Sequence, residues 1–345
     1  MTETFPFVSI VMPIRNEGKS ILAALDSLAA QDIPTDRMEI VIADGMSSDE
    51  TRANVLIFQK DHPSLEVLVI DNPRKIVPTG LNLAIQASKG EFILRADGHT
   101  IFPNNYVRLC VLTLKSTNAA NVGGRMIAMG ETSFGEAAAL ATSSPFGIGG
   151  AFFHYGSHGA WVDSVYLGCW SREIFRTIGL FDEELVRDQD DEFNYRLRSH
   201  GGRIWFNPDI QSRYTSRSSP KSLFKQYFQY GFWKVRVLQK HPGQMSPRQF
   251  VPPVFVLSLL VSLVLSLAVP WAWWVLAGIV GAYLLANLTA SLLTALRTRL
   301  HAPWLLPLAF SILHLAYGLG FLVGLVRFAG RWGDKIGKVP QETLV

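Results

Sequence analysis

The first half of the sequence predicts an α/β domain on a mostly parallel sheet, and the last hundred residues predict membrane-spanning helices. Three observations carry this reading. Short apolar runs alternate with helical patterns in the order βαβαβαβ over the first hundred residues. Acidic residues, Asp44 and Asp97, stand at the carboxyl ends of two of those runs, the rim where open parallel sheets bind ligands. No charged residue occurs from Gln249 to Leu296, which is enough for two crossings of about 20 residues each.

Taken in order, Phe7 to Met12 reads as a buried strand. Gly18 to Gln31 reads as a helix with Ile21, Leu22, Leu25 and Leu28 on one face. Met38 to Ala43 is the second strand. Ser48 to Lys60 is the second helix, with Ser47 or Ser48 as N-cap and Asp49 and Glu50 in its first turn. Leu65 to Ile70 is the third strand. Pro78 to Ser88 is a helix, with proline suited to its first turn and Gly90 just past its end. Glu91 to Ala96 is the fourth strand. From Asn121 to Tyr214 the pattern is less regular, and paired glycines suggest loops around a site. A helix follows from about Gln189 to His200: Asp188 can cap it, Asp190, Asp191 and Glu192 fill its first turn, and Gly201 and Gly202 end it.

Of 345 residues, 48% are hydrophobic and 17% charged, apolar for a soluble chain. The net charge of +4 arises after Gln249, where six Lys/Arg meet two Asp/Glu; the first 248 residues balance. A nucleic-acid binder would carry a basic patch in its folded domain, so nucleic acid is excluded as a partner. A basic tail suits an anionic membrane surface. Two cysteines, Cys110 and Cys169, make no disulfide framework and read as buried thiols in a reducing compartment. The N-terminal stretch lacks a basic region and a long apolar run, so no secretory signal is expected and the N-terminal domain is placed in the cytosol. Neither GxGxxG after the first strand nor GxxxxGK[ST] occurs, which removes the usual dinucleotide and P-loop signatures.

Apolar segments fall near 251–269, 272–295 and 303–326, with Trp271, Trp273 and Trp274 suited to the membrane interface. Lys234, Arg236, Lys240 and Arg248 precede the first, Arg297 and Arg299 follow the second, and Arg327, Arg331, Lys335 and Lys338 follow the third. Basic segments face the cytosol, yet three full crossings put the tail outside. The third segment, with His314, Gly318, Gly320 and Gly324, is therefore either a crossing or a re-entrant or interfacial piece.

Asp97 and His99 in GEFILRADGHT admit two readings. Asp-Gly is common turn chemistry. Alternatively, residues i and i+2 of an extended chain share a side, so both could face the rim as metal ligands.

These residues resemble family 2 glycosyltransferases of the GT-A fold. The resemblance is spread over about 1–235: VSIVMPIRNE (8–17), DGMSSDET (44–51), GLNLAIQASKGEFILRADGH (80–99), VDSVYLGCWSREIF (162–175) and GLFDEELVRDQDDEFNYRLRSHGG (179–202). The ADGH variant, the DDEFNYRL stretch and the apolar tail look most like the succinoglycan-type exopolysaccharide glucosyltransferases. The resemblance implies a Rossmann-like nucleotide-diphospho-sugar transferase domain, 1–220, in the cytosol. It implies a basic aromatic interfacial segment at 221–248, a membrane region at 249–330 and a basic tail at 331–345, the whole being a multi-pass protein of a bacterial inner membrane.

The resemblance also implies roles. Pro13, Arg15, Glu17 and Asp44 would bind the nucleoside, Asp44 accepting from the uracil N–H. Lys75, Asn82, Arg95 and Asp97 would lie along the nucleotide-sugar. Asp97 and His99 would hold a divalent metal, His99 standing where the family's DxD motif has its second Asp; an imidazole moves preference from Mg²⁺ toward Mn²⁺. Asp190 would be the catalytic base, with Asp191 the alternative, and Gln189 replaces the Glu of the family's Glu-Asp pair. At a helix N-terminus Asp190 would be ionised and of lowered basicity. Trp161 and Asp163 would line the acceptor pocket. Arg217, Gln226 and Trp233, in and before the amphipathic stretch LFKQYFQYGFWKVR, would meet a lipid-linked acceptor, or this stretch is a surface helix without such a role. Gln226, Gln229 and Trp233 resemble a QxxRW motif lacking its Arg, which implies transfer of one sugar. The implied reaction is inverting transfer of a hexose, glucose from UDP-glucose, onto a polyprenyl-diphosphate-linked saccharide in exopolysaccharide assembly. Transfer to bare polyprenyl phosphate, or carrier binding without chemistry, are the alternatives.

Overall fold

A computed structural model describes residues 5–298 and 300–334. Arg299, Lys335, Lys338 and most of the basic tail lie outside the described residues. The chain forms two compact units, one of 5–127 and 152–214, the other of 128–151 and 215–334. The sequence reading ends the first domain at 220; here the 128–151 segment groups with the C-terminal part.

The first unit begins β1 (Val8–Ile14), α1 (Ile21–Ala29), β2 (Met38–Asp44), α2 (Thr51–Asp61), β3 (Glu66–Asp71), α3 (Val77–Ala87) and β4 (Phe92–Arg95). It continues with β5 (Thr100–Ile101), α4 (Tyr106–Thr117) and β6 (Asn121–Met129). In the second unit lie α5 (Ser133–Thr142) and α6 (Pro145–Ile148). The first unit resumes with β7 (Ala160–Val162), β8 (Tyr166–Ser171), α7 (Arg172–Ile178), α8 (Gln189–Ser199) and β9 (Ile204–Thr215).

The strands form one sheet in the order β3-β2-β1-β4-β8-β6-β9-β5, with β7 on β9. β3, β2, β1 and β4 are parallel, as expected. The irregular middle of the sequence supplies an antiparallel half, β4 with β8, β8 with β6 and β9 with β5 and β7. The sheet is therefore mixed. The parallel strands are buried on both faces: Ile10, Met12 and Ile42 pack on α1, α2 and α4, while Val11, Val41 and Ile93 pack on α3, α7 and α8. Chain order reverses between β1 and β4, and the crevice outside their carboxyl ends is where such sheets bind ligands. Cys110 and Cys169 are buried free thiols.

One helix start and one cap differ from expectation. Ser47 is drawn to the Asp44 carboxylate, so α2 begins at Thr51 rather than Ser48. Asp188 occupies the N-cap position of α8 with φ 60° and makes no capping hydrogen bond.

The second unit is helical: α5, α6, α9 (Pro220–Lys240), α10 (Val251–Ser266), α11 (Ala272–Arg297) and α12 (Leu306–Arg327). Three of its helical segments, Pro247–Ser266, Ala272–Arg297 and Pro303–Arg327, are long and apolar enough to cross a membrane. α9 opens with a Ser219/Ser222 capping box and Pro220. It packs along α12. Gly320 and Gly324 of α12 face the backbone of Phe228 and Phe232, and a Cβ at either would fall 2.1 and 2.7 Å from their carbonyl oxygens. Such glycines let helix backbones touch. Lys234, Arg236 and Lys240 are buried. Arg236 donates to the carbonyls of Arg331 and Asp334 at 3.3 and 3.1 Å, and Gln239 donates to that of Phe328 at 2.8 Å. A guanidinium there complements the carboxyl end of α12. Trp233 is 3% exposed against Phe328. A side chain buried in helix packing does not reach an acceptor, which corrects the role expected for Trp233.

Candidate active site

The rim is built from the loops that follow β1, β2 and β4. Asp97 lies just past β4, but the extended geometry expected for Asp97 and His99 does not form. Asp97–Thr100 is a turn closed by Thr100 N–H on the Asp97 carbonyl at 3.1 Å, so the turn reading of Asp-Gly is correct. It is also a turn that contributes to the rim. Gly98 sits against Ile14 and Glu17 at the end of β1, where a Cβ would meet their side chains at 3.0 and 3.1 Å. This close approach brings His99 Nδ1 to Glu17 Oε1 at 3.0 Å, with the imidazole edge-on to Tyr214. Glu17 also accepts from Ser20 at 3.1 Å. Its carboxylate thus orients His99 at the rim.

At the centre of the rim is Arg95, 7% exposed at the end of β4. Its Nε and one terminal nitrogen donate to the two oxygens of Asp97 at 3.1 and 3.4 Å. Its other terminal nitrogen lies 4.0 Å from an Asp190 oxygen. Burial works against the guanidinium charge, but Asp97 and Asp190 outweigh it and hold Arg95 firmly protonated. Arg95 was expected along the nucleotide-sugar; it is the ion-pair bridge between the expected metal ligand and the expected base. Beside it, half-buried Tyr166 bonds Thr100 Oγ1 at 3.2 Å, and desolvation together with Asp97 raises its hydroxyl well above the ordinary range.

Asp190 opens α8 with 41% of its side chain exposed. Burial of its inner face and the adjacent Asp191 charge raise its pKa above the ordinary aspartate value, and Arg95 opposes them. The helix N-terminus alone predicts a lowered basicity. Here desolvation and the like charge win, leaving a more proton-avid carboxylate than the sequence implies.

Asp44 is fully buried at the end of β2. It accepts from Ser47 Oγ at 2.5 Å and from Ser47 N–H at 3.2 Å, and it pairs with Arg52, which also pairs with Asp71. Arg52 is the partner the sequence reading missed; its place in the first turn of a helix after a strand-end acid is the available signal. Gly45 packs on Arg15, whose guanidinium reaches the Lys75 carbonyl at 3.4 Å, and Pro13 packs on Gly80. Pro13, Arg15, Asp44 and Lys75 thus converge. Asn82 does not join them. It is 4% exposed, donates to the Phe181 carbonyl at 2.9 Å and Glu183 at 3.0 Å, and accepts from Phe181 N–H at 2.9 Å. It fastens α3 to the loop before α8, so its expected nucleotide contact is corrected.

Trp161 lies on β7 and Asp163 just after it. Asp163 pairs with Arg198 at 3.1 Å, and Arg203 lies 3.5 Å from the Trp161 ring centre. Arg198 is eight positions along α8 from Asp190, about 12 Å at 1.5 Å per residue. Trp161 and Asp163 both lie toward the end of α8 opposite Asp190. In the second unit, Arg217 donates to Gln226 at 3.3 Å.

Among the described residues no three His, Cys, Asp or Glu side chains converge as a metal cage. The donors at the turn are one carboxylate, Asp97, and one imidazole. A His99 that donates through Nδ1 to Glu17 carries its lone pair on Nε2, the tautomer a ligand needs. One carboxylate plus phosphate oxygens is the common way such sites hold Mg²⁺ and its kin. The donor set therefore fits a divalent ion that arrives with a diphosphate.

A mixed sheet of this order, with acids at the carboxyl ends of its parallel strands, suits a glycosyltransferase of the GT-A fold. Residues 9–162 match the model of glycosyl transferase family 2. The chain is 30% identical over 328 residues to succinoglycan biosynthesis protein ExoA of Rhizobium meliloti, covering 93% of this chain and 96% of that one. It is 27% identical over 327 residues to dolichyl N-acetyl-alpha-D-glucosaminyl phosphate 3-beta-D-2,3-diacetamido-2,3-dideoxy-beta-D-glucuronosyltransferase of Methanococcus voltae, covering 93% and 98%. Its fold is shared with the mannosyltransferase PcManGT of Pyrobaculum calidifontis, solved with GDP-Man and Mn²⁺, at TM-score 0.59 and 19% identity over 94% and 90% of the two chains. The chain belongs to glycosyl transferase family 2.

Proposed function

We propose that this enzyme transfers one hexose, glucose from UDP-glucose, with inversion onto a polyprenyl-diphosphate-linked saccharide, in bacterial exopolysaccharide assembly at the cytosolic face of the inner membrane. The observation that carries the reading is the line Asp97–Arg95–Asp190 across the crevice. Asp97, with His99, would hold Mn²⁺ or Mg²⁺, which when bound would neutralise charge on the diphosphate. Asp190 would take the proton from the acceptor hydroxyl, a poor nucleophile until it is deprotonated. Arg95 keeps the two carboxylates from repelling each other. An Asp97 ligand and an Asp190 base on opposite sides of one guanidinium suit an in-line displacement. The Methanococcus relative, named for a sugar already on dolichyl phosphate, supports a lipid-linked saccharide as acceptor over bare polyprenyl phosphate. Arg217 is proposed to meet the acceptor's diphosphate, with Gln226 orienting it.

The test is UDP release by detergent-solubilised protein with UDP-glucose, a membrane lipid extract, and Mn²⁺, Mg²⁺ or EDTA. Release is expected to require both lipid and metal. UDP binding without release, over a panel of sugar nucleotides and acceptors, supports carrier binding without chemistry instead.

Two further results are expected. Asp44→Asn keeps the shape of the β2 end but loses the charge facing Ser47 and Arg52. A base N–H replaces one of these donors on Asp44, so donor KM should rise about tenfold, the worth of one charge-assisted hydrogen bond, with kcat little changed. An unchanged KM removes Asp44 from the donor site. Asp191→Asn removes the like charge that raises the Asp190 pKa. Activity requires ionised Asp190, so it is present above that pKa and lost as pH falls through it. The acid limb of kcat/KM should therefore move to lower pH, whereas loss of activity at all pH values assigns the base to Asp191.

A further inference from the structure

The three apolar helices of the second unit differ in surroundings. The most apolar stretch of α12 is 56% buried within the protein, against 22% and 11% for those of α10 and α11. α10 and α11 form an antiparallel hairpin in which Phe255 stacks on Tyr283, ring centres 4.5 Å apart. This fixes levels along it. Residues 251–256 of α10 lie beside 283–287 of α11, roughly 20 Å from the 267–271 turn at 1.5 Å per residue.

α12 meets that single level at several points. Asn287 donates to the Pro307 carbonyl and to Ser311 Oγ, both at 3.0 Å. Tyr283 Oη lies 3.1 Å from His314 Nδ1. Gly318 packs on Pro252 and Val256, and Phe321 on Phe250. From Pro307 to Phe321 α12 advances about 21 Å without climbing the hairpin, so it runs across the hairpin's foot.

We propose that α12 does not cross the membrane but lies along its inner surface, its apolar stripe seated on an anionic phospholipid leaflet. Leu308, Leu315, Leu319, Val323 and Val326 are all exposed. Their spacing of seven, four, four and three places them on one face, turned away from Gly320 and Gly324, which meet α9. Such a face buries itself at the headgroup–acyl boundary. Trp304 and Trp332, 72% and 50% exposed, bracket the helix where interfacial rings sit. Exposed Arg297 and Arg327 complement anionic headgroups. A crossing α12 would also drag along α9, packed beside it from Phe228 to Trp233, and with it buried Lys234, Arg236 and Lys240. An in-plane α12 keeps Arg327 and Arg331 on the side of Arg248, which removes the charge conflict of three crossings.

The inference rests on the α10–α11 hairpin crossing a bilayer. Single-cysteine variants of the full chain, Leu56→Cys, Leu267→Cys and Gly333→Cys, are labelled with a membrane-impermeant maleimide in sealed vesicles of both orientations; Cys110 and Cys169 are buried. Gly333→Cys is expected to label from the side of Leu56→Cys, and Leu267→Cys from the other. Labelling of Gly333→Cys from the side of Leu267→Cys overturns the in-plane helix and keeps the hairpin. Labelling of all three from one side overturns the hairpin itself. In proteoliposomes, fluorophores on Leu308→Cys, Leu315→Cys and Val326→Cys are expected to be quenched alike by shallow brominated lipid. A maximum of deep quenching at Leu315→Cys overturns the proposal.

Discussion

Asp190→Asn is expected to lower kcat by about 10³-fold, within the range spanned by loss of a general base, and to leave UDP affinity within about threefold. Asparagine keeps the size of the side chain and the local backbone contact, in which Asp190 Oδ1 accepts from Asp191 N–H at 3.0 Å. It cannot take a proton. The effect should therefore fall on turnover and not on donor binding. UDP release and calorimetric UDP binding on the same preparation separate the two. Normal turnover in this variant removes Asp190 as base.

Arg95→Gln should also lower turnover, for a different reason. Arg95 is the buried cation between Asp97 and Asp190. Breaking a buried pair strands charge in a poorly solvated site. Both carboxylates are partly open, so the loss of stability should be modest, about 1–3 kcal/mol. The loss in kcat should reach about 10²-fold, as when one preorganised charge is removed from a site. Arg95 also holds the Asp190 pKa down against burial and Asp191. Its removal should move the acid limb of kcat/KM to higher pH, opposite to Asp191→Asn. Arg95→Lys keeps the charge but not the fork on Asp97 and should fall between. A thermal melt separates loss of fold from loss of chemistry. An unchanged acid limb in Arg95→Gln excludes coupling between Arg95 and Asp190.

The parallel half of the sheet was readable because β1, β2 and β4 are buried on both faces and so appear as continuous apolar runs, each ended by glycine or proline signals. The antiparallel half was not. β6, β8 and β9 are held in register by partners more than 30 residues away, and no local pattern encodes that choice. The same division runs through the site. Asp44, Asp97 and Asp190 stand at element ends, where an acid is conspicuous. The fates of Glu17, Asn82, Asp163 and Trp233 depend on distant partners: His99, Phe181, Arg198 and Phe328 respectively.

The sequence by itself determined the kind of domain, the strand ends that bear carboxylates and the presence of three long apolar helices, because each follows from periodicity and composition within one segment. The tertiary structure decided which acids meet across Arg95. It also set the basicity of Asp190, through burial and Asp191 prevailing over the helix N-terminus and Arg95. And it set the direction of α12, through glycines that admit α9 at backbone distance. These are properties of pairs of segments brought together in space, and a pattern within one segment carries no record of its neighbour.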